Sequence, residues 1–347
     1  MGIDLFAGAG GMTLAARQAG VEVVFAVERC PKAASTYALN FPDVALHAGD
    51  IRRVRELPRK PKGCETVIFG GPPCQGFSTS NQKTRNAENP SNWLFKEFVR
   101  LVRLWRPDWV VMENVKGITE TEGGLFLRAA IGSLKRADYS AECAVLNAAD
   151  FGVPQRRNRV FIVGSHHRSG YHFPEPDPTR LTSVSEAIRD LPVLTNGAAA
   201  DELPYATSTP SGYARKLRGR MQAVTGNLVT CSSSHIVERY RRVPPGGNWR
   251  DIPEAMLQNY ADVSRCHTGI YRRLDESEPA VVIGNFRKNM LIHPTQHRGL
   301  SIREAARLQG VPDRFRFQGS IGFQQQQVSN MVPPALGEAI FRSILDR

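Results

Sequence analysis

Short apolar runs alternate with amphipathic stretches through the first half of the chain. The amphipathic stretches lie near residues 12–19, 31–40, 93–105 and 123–137. The apolar runs between and around them are Gly2–Phe6, Val21–Val27, Thr66–Phe69, Trp109–Met112, Ala141–Leu146 and Val160–Val163. Strands that alternate with helices are typical of βαβ units. We therefore predict an α/β fold with a doubly wound, mainly parallel sheet that carries helices on both faces.

The pattern changes near residue 166. Residues 166–260 are rich in proline and in clusters of Ser, Thr and Gly, which predicts a smaller, loop-rich second domain. A last helix follows Pro333-Pro334. Its apolar residues recur at helical spacing and predict one buried face; they are Leu336, Ala339, Ile340 and Ile344.

Charge and cysteine content narrow the class of protein. The 347 residues contain 45 Lys and Arg against 33 Asp and Glu, a formal net charge of +12 that is spread along the chain. A polyanionic partner is expected, although composition does not decide whether it is nucleic acid. The six cysteines are scattered without a CxxC pair, and the histidines lack metal-ligand spacing. We expect a reducing, cytoplasmic setting without a metal, a membrane span or a signal peptide.

Chemically distinctive groups follow the predicted early strands. Ligands of doubly wound sheets gather at the carboxyl ends of the strands, so these groups are expected to converge on one rim. They are the stretch Phe6–Gly11, Glu28, Gly49-Asp50, the stretch Gly70–Gln75, and Glu113-Asn114.

The glycine-rich stretch after the first strand favours a nucleoside-bearing ligand. Gly8, Gly10 and Gly11 allow a tight turn, but their spacing is neither that of a P-loop nor that of a dinucleotide fingerprint. Glu28, at the end of the next strand, is placed to accept both hydroxyls of a ribose. A cofactor without a pyrophosphate fits, and S-adenosylmethionine is one; a plain strand-to-helix turn is the alternative.

Two further strand ends carry candidate catalytic groups. Cys74 follows Pro72-Pro73 and precedes a small, polar stretch of the kind found in closing loops, which favours a nucleophile over a structural cysteine. Glu113 ends an apolar strand, where partial desolvation is expected to raise its pKa and let it protonate a ring nitrogen. A helix cap or structural acid is the alternative for Glu113, and Asn114 is equally consistent with a turn.

A basic stretch precedes the strand Val160–Val163. Two of its arginines, Arg157 and Arg159, are expected on one face, where they can hold a phosphate or a base carbonyl. A solvated basic turn is the alternative.

These motifs resemble those of the DNA (cytosine-5)-methyltransferases, and the resemblance covers nearly the whole chain in the family's motif order. The matching stretches are Asp4–Gly11, Gly71–Ser78, Glu113–Val115, Gln155–Arg159, Arg298–Asp313 and Gln327–Pro334. The resemblance implies an S-adenosylmethionine-dependent methyltransferase (Rossmann-like) sheet and a second, target-recognition domain.

The resemblance also implies roles for single residues. Cys74 would attack C6 of a flipped-out cytosine, Glu113 would hold N3 and the amino group, and Arg159 would bind O2 with support from Arg157. Residues implied in cofactor binding are Phe6, Gly8, Ala9, Gly10, Gly11, Glu28, Asp50, Ile51, Pro72 and Asn330. Gln75, Ser78 and Ser80 would contact DNA from a closing loop at 75–92.

The family's organisation implies two domains, namely 1–165 plus 325–347 for catalysis and cofactor, and 166–324 for target recognition. The helix Pro334–Leu345 would return to the first domain. Arg272, Arg273 and Arg287 are candidates for DNA contact, with solvated or phosphate-only contacts as the alternative. Arg29 and Ser329 depart from residues common in the family, and Gln324–Gln326 has no assignable role.

The alternatives are a tRNA cytosine-5 methyltransferase of the same fold and a non-catalytic DNA-binding regulatory relative. A nucleotide-dependent oxidoreductase is disfavoured by the glycine spacing. We expect a monomeric cytoplasmic, nucleoid-associated enzyme that acts on double-stranded DNA, with a cognate restriction endonuclease as a candidate partner.

Overall fold

The computed structural model describes residues 1–73, 93–166, 171–258, 268–284, 286–288 and 290–346. The strands are β1 (Gly2–Leu5), β2 (Val23–Glu28), β3 (Ala45–Ala48), β4 (Val67–Gly70), β5 (Trp109–Val115), β6 (Ser140–Asn147), β7 (Asn158–Ser165), β8 (Leu203–Pro204) and β9 (Ala223–Val224). The α-helices are α1 (Gly11–Gln18), α2 (Pro31–Asn40), α3 (Phe95–Trp105), α4 (Leu125–Lys135), α5 (Val184–Ile188), α6 (Gly212–Arg218), α7 (Ser234–Arg242), α8 (Ile302–Leu308), α9 (Ile321–Asn330) and α10 (Pro334–Leu345).

Seven strands form one sheet in the order β3-β2-β1-β4-β5-β7-β6. Strands β1 to β5 are parallel to one another, whereas β7 runs antiparallel to both β5 and β6. The central strands β1 and β4 are buried at every residue, as their continuous apolar runs require. The predicted doubly wound, mainly parallel α/β sheet is confirmed.

Helices cover both faces of this sheet. On one face, Ile3 and Ile68 belong to the same buried cluster as Phe98 of α3 and Phe126 of α4. On the other, Phe69 contacts Phe341 of α10 with ring centroids 4.9 Å apart.

Helix α10 packs against α1, at the start of the sheet. A Cβ at Gly337 would lie 2.7 Å from the Cβ of Ala15, so a glycine is needed where these two helices meet. The expectation that the last helix returns to the first domain is confirmed.

The carboxyl ends of the first five strands lie at one edge of the sheet. Because these strands are parallel, Leu5 is in register with both Val27 and Gly70, and Gly70 is in register with Met112. The rim predicted from the sequence is therefore present, and it collects the glycine-rich stretch, Glu28, Gly70-Gly71 and Glu113.

The chain divides into two compact units whose limits differ from the predicted ones. The first contains 1–151, 158–176 and 334–347, and the second contains 152–157 and 177–333. Gln155 belongs to the second unit because its side chain bonds to the Leu308 carbonyl and to the Gln309 side chain. Tyr171 belongs to the first because its hydroxyl lies 2.6 Å from that of Ser343 in α10. Such partners, distant in sequence, place the boundaries away from the change in composition at residue 166.

The second unit is built around buried arginines as well as apolar residues. Arg307 of α8 is fully buried and bonds to the carboxylates of Asp190 and Asp313. Arg298 pairs with Glu304 at 2.6 Å, again in the interior. Buried ions need such partners, and α8 therefore organises this unit. No helix in the described parts of the chain is long and apolar enough to cross a membrane.

Candidate active site

The glycine-rich stretch between β1 and α1 has an unusual backbone. Phe6, Gly8 and Gly10 all have positive φ, at 62°, 57° and 100°. A Cβ at position 10 would overlap the ring of Phe41, so only glycine fits there. Helix α1 begins at Gly11 without a side-chain cap at Gly10, so the N–H groups of Gly11 and Met12 can bond solvent or a ligand.

Glu28 is fixed at the end of β2 by two backbone donors. The N–H of Gly8 donates to Oε2 at 2.7 Å, and the N–H of Cys30 donates to Oε1 at 2.6 Å. Each carboxylate oxygen has a second lone pair. The structure therefore connects Glu28 with the glycine-rich stretch and holds its carboxylate in place.

Asp50 and Ile51 lie at the start of a 3₁₀ turn, Ile51–Arg53, just after β3. Arg52 contacts both carboxylate oxygens of Asp50, and its hydrogen bonds hold the pKa of Asp50 well below the usual range. Ile51 is 4% exposed. The sequence indicated Asp50 and Ile51 but not Arg52, because its role depends on side-chain geometry.

The segment that leads to Cys74 packs against the end of β5. Nδ2 of Asn114 donates to the carbonyl of Pro72 at 3.3 Å, and a Cβ at Gly71 would lie 2.9 Å from Oε2 of Glu113. Asn114 thus ties Pro72 to β5 and is more than a turn residue. Four candidates, Cys74, Gln75, Ser78 and Ser80, and the rest of the loop at 75–92, lie outside the described residues.

Glu113 and Arg159 form an ion pair at the same edge of the sheet. Strand β7 lies beside β5 with Arg159 opposite Val115, and Nε of Arg159 is 2.8 Å from Oε1 of Glu113. The two side chains are 11% and 10% exposed. Partial burial of the acid, expected from the sequence, is present, and the guanidinium holds its carboxylate at the edge of the sheet.

Arg157 does not share this location. It precedes β7, belongs to the second unit, and donates to the carbonyls of Ile283, Ser329 and Met331. The prediction that Arg157 and Arg159 lie on one face is wrong, because Arg157 is buried among backbone acceptors. Arg157 is thus a support for the backbone beside Asn330, the exposed last residue of α9, rather than a group that meets substrate.

The prediction that Arg273 contacts DNA is also wrong. Its side chain is 3% exposed and donates to backbone carbonyls that include those of Val243, Tyr240 and His293. A guanidinium occupied in this way is structural and does not face DNA. Arg287 is exposed and Arg272 is half-buried, so their DNA contact stays a prediction. Among the residues with described positions, no cluster of His, Cys, Asp and Glu could hold a metal ion.

Solved structures of known proteins share the fold that carries this geometry. The chain superposes with a TM-score of 0.79 on a prophage-encoded DNA modification methyltransferase from E. coli, at 26% identity and covering 99% of this chain and 98% of that one. The order of the strands and the rim therefore show that this chain has the Rossmann-like methyltransferase fold. At 14% identity, the Dnmt2 methyltransferase of S. pombe shares the fold with a TM-score of 0.60 and coverage of 99% and 98%.

Sequence relatives identify the family. The family model for C-5 cytosine-specific DNA methylases matches residues 1–346. The chain is 36% identical to the Type II methyltransferase M1.HphI of Haemophilus parahaemolyticus, covering 99% of this chain and 86% of that protein. It is 32% identical to M.DdeI of Desulfomicrobium norvegicum, with coverage of 99% and 88%. The chain belongs to the C-5 cytosine-specific DNA methylase family.

Proposed function

We propose that this protein transfers a methyl group from S-adenosylmethionine to C5 of a flipped-out cytosine in a specific duplex DNA sequence. The observation that carries the proposal is the buried Glu113–Arg159 pair beside Gly71-Pro72, the segment that leads to Cys74. A protonated Glu113 carboxyl would donate to N3 of cytosine and accept from the amino group, while the guanidinium of Arg159 would donate to O2.

The residues of the rim fit S-adenosylmethionine. The backbone N–H groups at the start of α1 suit its carboxylate, the fixed Glu28 carboxylate suits the ribose hydroxyls, and the buried Ile51 suits the adenine face. Arg52 lies against Asp50, which we propose as the contact to the adenine amino group. When bound, this cofactor supplies an electrophilic methyl group.

The chain's own residues must make C5 reactive. The thiolate of Cys74 would add to C6, forming the S–C6 bond and shifting electron density to C5. C5 would then take the methyl group as the bond from that methyl to the cofactor sulfur breaks and S-adenosylhomocysteine leaves. Glu113 and Arg159 hold the ring while this charge develops, which is their proposed catalytic contribution. Loss of the C5 proton to a base and departure of the Cys74 sulfur restore the aromatic ring.

Extrahelical binding is part of the proposal, because C6 is inaccessible to a thiol inside stacked duplex. Unstacking costs a few kcal/mol, and contacts between basic side chains and phosphates offset it. The net charge of +12 is consistent with such contacts. Sequence recognition is assigned to the second unit, with Arg272 and Arg287 as candidate contacts.

The test is transfer of labelled methyl groups from S-adenosylmethionine to duplex DNA and, in parallel, to tRNA. We expect labelling of DNA only, mapped by bisulfite sequencing to cytosines in one short sequence. Cys74→Ser should abolish transfer, while the matched control Cys143→Ser, at an exposed cysteine of β6, should retain it. Labelling of tRNA alone would show that the substrate is RNA and that the proposal of DNA as substrate is wrong. DNA binding without any transfer would identify a regulatory relative.

A further inference from the structure

Asp4 is a carboxylic acid buried inside β1, two residues before the glycine-rich stretch. Its side chain is fully buried, and the hydroxyl of Thr13 donates to its Oδ2 at 2.7 Å. The Thr13 oxygen lies 2.8 Å from the hydroxyl of Tyr37, and both side chains are fully buried as well. This Asp4–Thr13–Tyr37 chain connects β1, α1 and α2.

The chain of hydrogen bonds brackets the stretch Phe6–Gly11. Asp4 lies before that stretch and Thr13 lies in the first turn of α1 after it, so their bond closes the turn from the inside. Helix α2 contributes through Tyr37, which bonds to Thr13, and Phe41, the residue directly after α2, packs its ring on Gly10. Positive φ at Phe6 is costly for a side chain other than glycine and persists only when surrounding contacts hold it.

The Asp4 carboxyl has few groups that could stabilise a charge. Oδ1 is buried and has no hydrogen-bond partner among the described residues, and Glu28 adds a like charge nearby. Burial raises the pKa of Asp4 to about 8, although the bond from Thr13 opposes that rise. Burial likewise raises the pKa of Tyr37 far above its usual range, and the charged groups that act on Tyr37 are Asp4, Arg17 and Asp43. Asp4 is therefore mainly neutral at pH 7.

We propose that Asp4 is a positioning residue: as a neutral acid bonded to Thr13 it fixes Phe6–Gly11 in the conformation that binds the cofactor, and its ionisation weakens that binding. The inference rests on the proposed function and deepens it, because it assigns a residue that does not meet the cofactor. An ionised Asp4 would lie in the interior beside Glu28 with one oxygen lacking a donor. Local opening of the turn relieves that cost and disturbs the N–H of Gly8 and its bond to Glu28.

The first test is the dissociation constant of S-adenosylmethionine between pH 6 and pH 9.5, measured by calorimetry on the full chain. If only the protein with neutral Asp4 binds, the wild type should bind about tenfold more weakly at pH 9 than at pH 7. Asn at position 4 cannot ionise, so the affinity of Asp4→Asn should not show this tenfold loss between pH 7 and pH 9. Any pH dependence that does not come from Asp4 persists in Asp4→Asn and is subtracted. S-adenosylhomocysteine, which lacks the sulfonium charge, should give the same difference between the two proteins.

The second test removes the hydrogen bond without changing any charge. Thr13→Val should weaken binding about three- to tenfold at pH 7, and Thr13→Ser should restore it. The matched control is Thr66→Val, which removes a hydroxyl bonded to Asp108 at 2.6 Å before β4, and its affinity should equal that of the wild type. These variants keep the proposal testable if Asp4→Asn fails to fold.

Two outcomes would overturn the inference alone. One is a pH dependence that is the same in wild type and Asp4→Asn, and the other is wild-type affinity in Thr13→Val. If the wild type bound neither S-adenosyl ligand at any pH, the proposed function itself would fail.

Discussion

Substitution of Gly71 by alanine tests whether the position of the Glu113 carboxylate matters for catalysis. The new Cβ would lie 2.9 Å from Oε2 of Glu113, whereas an ordinary contact needs about 3.5 Å. The carboxylate must therefore move by roughly 0.5 Å, away from the position in which it bonds Arg159 at 2.8 Å. A misplacement of about 1 Å can cost about 10²-fold in rate, so about tenfold is expected for half that distance.

The assay is the single-turnover rate of methyl transfer to duplex DNA with saturating cofactor. We expect the rate of Gly71→Ala to fall about tenfold while its melting temperature and its affinity for S-adenosylmethionine stay close to wild type, because only the end of a side chain is displaced. Gly164→Ala is the control, since a Cβ there meets its neighbours at 3.5 Å or more. Equal rates for the two variants, or loss of cofactor binding in Gly71→Ala, would refute the reasoning.

Three further predictions concern charge. Glu113→Gln should lower kcat/KM for methyl transfer by about 10²- to 10⁴-fold without changing cofactor affinity measured by calorimetry, and an unchanged rate would exclude Glu113 from the chemistry. Arg307→Met removes the guanidinium that pairs with two buried carboxylates, those of Asp190 and Asp313, and should lower the free energy of unfolding in urea by about 3–5 kcal/mol. The exposed-pair control Arg342→Met should lose less than about 1 kcal/mol. Burial raises the pKa of Glu304, but Arg298 and other groups outweigh this effect and hold the pKa at about 2, below its ordinary value of 4.5. Ionised Glu304 should therefore add about 3 kcal/mol to the free energy of unfolding above pH 4.5, and this contribution should be lost as the pH falls towards 2. Urea unfolding of the wild type and of Glu304→Gln between pH 2 and 6 measures the difference.

The resemblance of the motifs and the alternation of apolar runs were sufficient to predict the fold and the position of much of the rim. Glu28 and Glu113 were predictable because each directly follows an apolar run, and parallel strands bring such ends to one edge. The glycines were predictable because only a few backbone turns require them at that spacing. The end of an apolar run and the spacing of glycines are properties of short segments, so they can be read from the sequence alone.

The partners of charged side chains were not predictable. Arg157 and Arg159 are two residues apart, yet one binds carbonyls near residue 330 in the second unit and the other binds Glu113 in the first. Arg273 looks like a surface arginine in sequence, but carbonyls of Tyr240 and Val243, at the end of α7, enclose it. The limits of the two compact units differ from the predicted domain limits for the same reason, because contacts with residues more than 150 positions away assign Gln155 and Tyr171 to their units.

By itself the sequence determined the α/β sheet, the order of its chemical groups along one edge, and the family. The tertiary structure decided that Arg159 pairs with Glu113, that Arg157 and Arg273 are buried supports, and that Asp4 bonds to Thr13 across the glycine-rich stretch. Periodicity records which face of a segment is buried. The acceptors that a buried charge or hydroxyl meets come from distant parts of the chain, and their positions exist only once the chain has folded.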